Sequence, residues 1–385
     1  MKLNVVFLGC TTGYGYSFSA VNTKTEFMVL GLKHNGAYCT VINSVVGINE
    51  VHHRTVLDNG VCNVISYPKK GNQLVSWLKN VEDLKTDLQK LYCRECANIV
   101  ILESPDYHIY RLYCHYSHKY GYKIATISHE WSPTVKGIHP LRRPFKNLYI
   151  KTFGLYSDAI LPISEYIIDR IKFFRKPYLK VPVLASFDDT PIEKKETSEK
   201  YFLYCVYAAY TRVIIPVIEA YMEYLKSANS NNYKLILVLG GSDSQVGGVV
   251  DYLIRHGYEK NVSIRRKVPY DELMRLYKNA AGLIIPLDPN AEQDYARFSQ
   301  KIAEYTSSAS PIISCKVGEV GLYFKDKESA ILCDYSKKGF VNAFLWITEH
   351  PLEAERIGKK GFEVGKSFFN YRIVGKRLSD FLLDL

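Results

Sequence analysis

The sequence lacks any uninterrupted apolar run near the roughly 20 residues that a membrane-spanning helix requires. Its first residues read as a strand over 3–8, not as a signal peptide. Both absences predict a cytoplasmic chain. Nine cysteines stand at irregular spacings, an odd number that reads as free thiols. Cys93 and Cys96 form a lone C-x-x-C that no second pair or His pair answers, so neither a zinc site nor a redox site is expected. The chain also has no G-x-G-x-x-G, no P-loop lysine, no Asp-x-Asp and no RNA-recognition or zinc-finger signature. These gaps argue against a dinucleotide cofactor, a nucleoside triphosphatase, a metal-chelated diphosphate and a nucleic-acid partner in turn. No cofactor and no metal are expected, and no internal repeat or low-complexity segment is present.

What is present is a globular composition, 47% hydrophobic over 385 residues. That length exceeds what one core usually supports and predicts two domains. The net charge of +11 attracts anions without naming them. Its densest basic-aromatic stretch runs from Arg142, Arg143 and Lys146 through Tyr149 and Lys151 to Phe153, inside a helical pattern. Such a face is either simply solvated or docks on an anionic membrane surface from the cytoplasmic side.

Short apolar, β-branched runs at 3–8, 38–42, 99–102, 123–127 and 159–163 alternate with helical patterns, and a second series follows at 202–206, 235–239, 262–264, 283–286, 312–315 and 331–333. This alternation predicts an α/β protein of two doubly wound, Rossmann-like parallel-sheet domains facing one another. The expected boundaries are 1–185 for an acceptor-side domain, 186–200 for a charged linker, 201–370 for the nucleotide-binding domain, and 371–385 for a final helix that can cross back to the first domain.

Ligands of open parallel sheets bind beyond the carboxyl ends of the strands, so candidate residues should follow strands. After the first strand come Gly13 and Gly15, in a loop whose backbone can approach a ligand; a plain turn is the alternative. His129 and Glu130 follow the strand ending near residue 127, and either can orient or deprotonate an acceptor hydroxyl. Arg212 opens an apolar-periodic helix, where a guanidinium is unfavourable unless an anion such as a diphosphate lies there. Gly240 follows another strand, where its backbone either contacts the nucleotide of the donor or only relieves crowding in the loop. Ser299 is the expected N-cap of a helix whose amides and positive dipole end suit an anion. Lys301 and Glu304, three apart on one face, can neutralise phosphate and accept hydroxyl hydrogen bonds respectively. Gly318 and Glu319 follow the strand ending at Cys315 and can reach a donor sugar or pyrophosphate, or form only a turn.

The run Phe298-Ser-Gln-Lys-Ile-Ala-Glu-Tyr305, the Pro311-Ile-Ile strand, the Gly318-Glu-Val-Gly321 loop and Asp158-Ala-Ile-Leu-Pro-Ile-Ser164 resemble the retaining glycosyltransferases of family 4 (group 1). The resemblance implies the GT-B fold and transfer of a sugar from a nucleoside-diphosphate donor, UDP- or GDP-linked, to a glycan or lipid-linked acceptor. It implies that Arg212 and Lys301 contact the pyrophosphate and Glu304 the ribose. Two departures stand out. The family's Glu-x7-Glu has Ala296 in its first place, and its Gly-Arg pair after the first strand of the second domain is Val206-Tyr207. They keep open a catalytically degenerate binding protein, beside a sugar-nucleotide epimerase of similar fold.

Overall fold

The computed structural model describes every residue except 17–18, 45–54, 69–70, 72, 104–105, 132–142, 188–199 and 228–232. The chain divides into two compact units: Met1–Ala185 with Ala296–Phe298 and Phe369–Leu385, and Ser186–Tyr295 with Ser299–Phe368. Most of the expected linker and the residue Arg142 lie outside the described residues.

In the first unit the chain runs β1 (Lys2–Thr12), α1 (Ala20–His34), β2 (Tyr38–Ser44), β3 (Thr55–Asp58), β4 (Asn63–Ser66), α2 (Gln73–Lys79), α3 (Val81–Leu91), β5 (Cys96–Leu102), α4 (Tyr107–Lys119), β6 (Lys123–Ser128), α5 (Arg143–Tyr156), β7 (Ala159–Pro162) and α6 (Glu165–Ile171). Its sheet order is β3-β4-β2-β1-β5-β6-β7, parallel except for the β3–β4 hairpin at one edge. Val5 and Phe7 of β1 face one core while Val6 and Leu8 are equally buried on the opposite side of the strand, as a sheet covered on both faces requires. The strand expected at 3–8 continues to Thr12, with a register irregularity between Leu8 and Thr12. Gly9 (φ +73°) sits at that irregularity, and a Cβ there would meet the Glu103 carbonyl oxygen at 2.4 Å. Only glycine allows this approach of β1 to the end of β5.

The second unit runs β8 (Lys200–Tyr207), α7 (Thr211–Tyr224), β9 (Tyr233–Gly240), α8 (Asp243–His256), β10 (Val262–Arg265), α9 (Tyr270–Asn279), β11 (Gly282–Ile285), α10 (Glu292–Ala296), α11 (Gln300–Ser307), β12 (Ile312–Ser314), α12 (Val320–Tyr323), β13 (Ile331–Leu332), α13 (Lys337–Glu349) and α14 (Pro351–Phe368). Its sheet order is β10-β9-β8-β11-β12-β13, with every pairing parallel. Local signals punctuate it: Ser242 and Gln245 form a capping box on α8, and Gly257 closes that helix in the left-handed conformation.

The last helix, α15 (Tyr371–Leu383), belongs to the first unit, where Val374, Leu378 and Leu382 join the core beneath β1 and α1. A Cβ on Gly375 would lie 2.4 Å from Gly31 Cα. The two bare backbones therefore let α1 and α15 touch.

Candidate functional site

In each sheet the strand order reverses once, between β1 and β5 in the first unit and between β8 and β11 in the second. At such a switch point adjacent loops leave the sheet in opposite directions and open a crevice at the carboxyl ends of the strands.

In the second unit, Arg212 lies in the first turn of α7, just after β8, and Asp288 follows β11. Arg212 Nη1 is 3.3 Å from Asp288 Oδ2, and Nη2 is 3.7 Å from Oδ2 of Asp294, whose side chain has no exposure. The same Asp294 oxygen accepts from the Asp288 amide at 2.9 Å. An anion is expected beside this guanidinium, and the chain supplies two of its own. About a third of the Arg212 side chain remains open to solvent, which leaves it a face for a further anion. The Tyr335 hydroxyl, in the loop after β13, donates to the Arg212 carbonyl at 3.3 Å.

α11 is fixed from below. Tyr305, fully buried, packs edge-on against Tyr277 of α9 with centroids 4.8 Å apart, and its hydroxyl accepts from the Cys205 amide of β8 at 3.1 Å. With this anchor, the first turn of α11 sits at the carboxyl end of the sheet. Ser299 holds the N-cap position with extended backbone, but its hydroxyl makes no capping bond. The capping bond expected of Ser299 is therefore not formed. Glu304 is buried, and burial pushes its carboxyl up to about 7, with the Lys301 ammonium opposing. Both charges are felt by the Cys205 thiol, which burial raises, Lys301 lowers and Glu304 raises. Lys301 and Glu304 therefore converge near Cys205, toward the end of β8.

Gly240 ends β9 on the exposed side, with its α-carbon facing the Tyr207 ring. Gly318 (φ +53°) packs where a Cβ would meet the Asp294 carbonyl at 2.9 Å, and Glu319, buried, takes the N-cap position of α12. Arg266, which the sequence reading passed over, follows β10 and pairs with Asp243 at 2.7 Å and the Gly241 carbonyl at 3.3 Å.

In the first unit, Gly13 (φ +70°) and Gly15 (φ +85°) form a turn after β1 in which the Tyr16 amide donates to the Gly13 carbonyl. The buried Asn43 side chain clamps that turn, accepting from the Tyr14 amide at 2.8 Å and donating to its carbonyl at 3.0 Å. His129, just after β6, contacts two residues the sequence reading missed. Its Nδ1 lies 3.3 Å from Lys24 Nζ, and its Nε2 lies 3.4 Å from Glu103 Oε2. Burial holds the imidazole pKa well below its ordinary value, with the Lys24 charge adding to the effect. Glu130 stands beside this group and raises the Glu103 carboxyl slightly further. A signal for Lys24 existed: it lies four residues before Met28 and eight before Leu32, on the buried stripe of α1, where lysine is rarely found. Glu103 directly follows the apolar run at 99–102, the same positional rule that selected His129.

Arg143 is exposed at the first turn of α5, and Lys146 is partly exposed one turn on. Among the described residues no three His, Cys, Asp or Glu side chains are grouped to hold a metal ion. The Cys93 and Cys96 sulfurs approach to 2.6 Å, at the start of β5 and away from both switch points.

No family model and no curated protein matches the chain by sequence. Solved structures match over its whole length. Sucrose-phosphate synthase from Thermosynechococcus elongatus is 14% identical, with a TM-score of 0.75, covering 99% of this chain and 98% of its own. HepE of Anabaena, solved with UDP and glucose, is 10% identical with a TM-score of 0.74 and full coverage of both chains. An α,α-trehalose-phosphate synthase from Burkholderia xenovorans, solved with glucose-6-phosphate, is 9% identical with a TM-score of 0.71, covering 98% and 100%. At these identities the likeness speaks to architecture, and with two Rossmann-like units of mainly parallel sheet the chain has the GT-B fold.

Proposed function

We propose that the chain is a glycosyltransferase that moves a sugar from a nucleoside-diphosphate donor to a hydroxyl acceptor, with retention of configuration. The observation that carries this is the cation-lined switch point of the second unit. There Arg212 keeps an open face, Lys301 stands near buried Glu304, and α11 begins with Ser299 in the N-cap position. As the bond between the anomeric carbon and the diphosphate breaks, negative charge grows on the leaving oxygen. Two fixed cations and oriented amides stabilise that charge without rearranging. Glu304 accepts hydrogen bonds from ribose hydroxyls. With no Asp-x-Asp in the sequence, the cations take the part that a chelated metal plays elsewhere.

The similar structures support this reading: HepE was solved with UDP and with UDP-glucose, and trehalose-phosphate synthase with a sugar phosphate. A UDP-sugar is accordingly the first donor to try. Thermal stabilisation by UDP-, GDP-, ADP- and dTDP-sugars, with and without divalent metal, tests the site, because a ligand held only by the folded state raises its melting temperature. A rise with one base class, unchanged by metal chelation, is expected. No rise with any of them removes the reading.

One observation favours a second reading, a binding protein without turnover. Ala296, where the resemblance places a carboxylate, is fully buried, and its carbonyl accepts from Ser164 Oγ at 2.7 Å. Nucleotide binding without transfer to any sugar acceptor is the outcome that selects it.

We also infer that the acceptor is presented at an anionic membrane surface, in glycolipid or surface-polysaccharide assembly. No described helix is long and apolar enough to cross a membrane. The outer face of α5, however, exposes Phe145, Leu148 and Leu155 among Arg143, Lys146 and Lys151, the apolar-and-basic mixture that binds at a lipid interface.

A further inference from the structure

Lys24, His129 and Glu103 come from three separated parts of the first unit, α1, the end of β6 and the end of β5, and meet in one line. Lys24 Nζ donates to the Val181 carbonyl at 3.0 Å and lies 3.3 Å from His129 Nδ1, while His129 Nε2 lies 3.4 Å from Glu103 Oε2. Exposure rises along the line: Lys24 is 4% exposed, the His129 side chain 14% and the Glu103 side chain 25%. Glu103 is also the member at the switch point, since β5 is the neighbour of β1 across the reversal and Gly9 touches the Glu103 backbone.

An imidazole with a partner on each nitrogen has no lone pair free for a substrate. We propose that Lys24, His129 and Glu103 work as one unit, in which His129 is a neutral bridge and the Glu103 carboxyl, not the imidazole, meets the acceptor hydroxyl. The role given to Glu103 rests on the glycosyl-transfer reading; the bridge does not. Lys24 and Glu103 are the charged groups that face the ring from α1 and β5, and Glu130 adjoins it on its own loop. Burial brings the two ends toward each other, lowering Lys24 to about 7 and raising Glu103 to about 8. One proton can then sit at either end, passing through the ring by exchange of its tautomers, and the ring is neutral in both arrangements. A carboxyl so placed can orient a hydroxyl without holding a full charge in a buried site.

The bridge is tested by nitrogen-15 NMR of the full chain with labelled histidine, the His129 signals being assigned by their loss in His129→Gln. In the wild type they should stay those of a neutral ring from about pH 5 to pH 8. In Lys24→Met, an unbranched side chain one atom shorter and without the charge, Glu103 faces the ring unopposed, and His129 should gain a proton within that range. A wild-type His129 that titrates near its ordinary 6.5, or a Lys24→Met chain that leaves its titration unchanged, overturns the bridge. For Glu103, the readout is kcat of sugar transfer. Glu103→Gln should lower kcat at least tenfold more than His129→Gln, with nucleotide affinity unchanged in both. Equal losses, or the reverse order, overturn the assignment of Glu103. A wild type that binds and transfers nothing overturns the preceding reading and with it the role of Glu103, while the NMR titration still decides the bridge.

Discussion

Arg212 Nη2 lies 3.7 Å from Oδ2 of Asp294, a carboxylate with no exposed side-chain surface. The guanidinium that faces the crevice of the second unit is thus also a partner of a buried anion. Structure and binding meet in one side chain, and removing it should show in both.

Arg212→Ala should therefore lower stability by about 2–3 kcal/mol, because it takes a cationic partner away from the buried Asp294 carboxylate. Nucleotide affinity should fall by roughly tenfold at temperatures where the variant is folded. Urea unfolding and titration calorimetry separate the two effects. A variant that is destabilised yet binds nucleotide normally would mean that Arg212 serves Asp294 alone.

Glu304 offers a prediction with a sign. Its folded pKa of about 7 stands above the ordinary 4.5 through burial. Between those values the folded chain holds the proton more tightly than the unfolded chain. The stability this contributes is whole below about pH 4.5, declines as pH rises, and is gone above about 7. Glu304→Gln has no such proton to lose. Wild type should lose about 3 kcal/mol relative to this variant between pH 4.5 and pH 8, as read by denaturant unfolding at each pH. Parallel profiles would show that the carboxyl stays charged in the folded chain.

Gly375 tests the return of the last helix to the first unit. Its α-carbon faces Gly31 so closely that an added Cβ would lie 2.4 Å from Gly31 Cα. Gly375→Ala should cost about 1–3 kcal/mol through overpacking, despite the better helix propensity of alanine. Limited proteolysis should then release the C-terminal segment before the rest of the unit is cut. A variant as stable as wild type would contradict the close packing of α1 on α15.

The exposed face of α5 predicts salt-sensitive membrane binding. Replacing Arg143 and Lys146 by Gln should reduce cosedimentation with vesicles rich in an anionic phospholipid by about tenfold or more, at about 1 kcal/mol per charge. Binding to neutral vesicles should not change. Equal cosedimentation of both proteins with the anionic vesicles would assign this face to solvent.

The two α/β units were legible because buried parallel strands write themselves as short apolar runs, and the runs at 38–42, 99–102, 123–127 and 235–239 fall on β2, β5, β6 and β9. The hairpin of β3 and β4 was not, since each strand has only four residues and β3 lies at an edge, half exposed to water. The site divided in the same way. Arg212, Lys301, Glu304 and His129 carry chemical types that stand out beside strand ends. Asp294 sits on a helix of five residues, where nothing local distinguishes its charge from a surface one, and Lys24 betrays itself only by its place on the apolar stripe of α1.

The periodicities, and with them which segments become strands, which become helices and where the loops carrying charge leave the sheets, follow from the order of residues alone. Those are properties of neighbours in the chain, governed by side-chain shape, polarity and local hydrogen bonding. The partners come from the folded arrangement: Arg212 meets Asp288 and Asp294, Tyr305 anchors α11 beneath Glu304, and Lys24 and Glu103 close on either side of His129. Such pairings join residues roughly 25 to 105 positions apart. They depend on which strands adjoin at the reversal of each sheet, and a one-dimensional pattern does not carry that order.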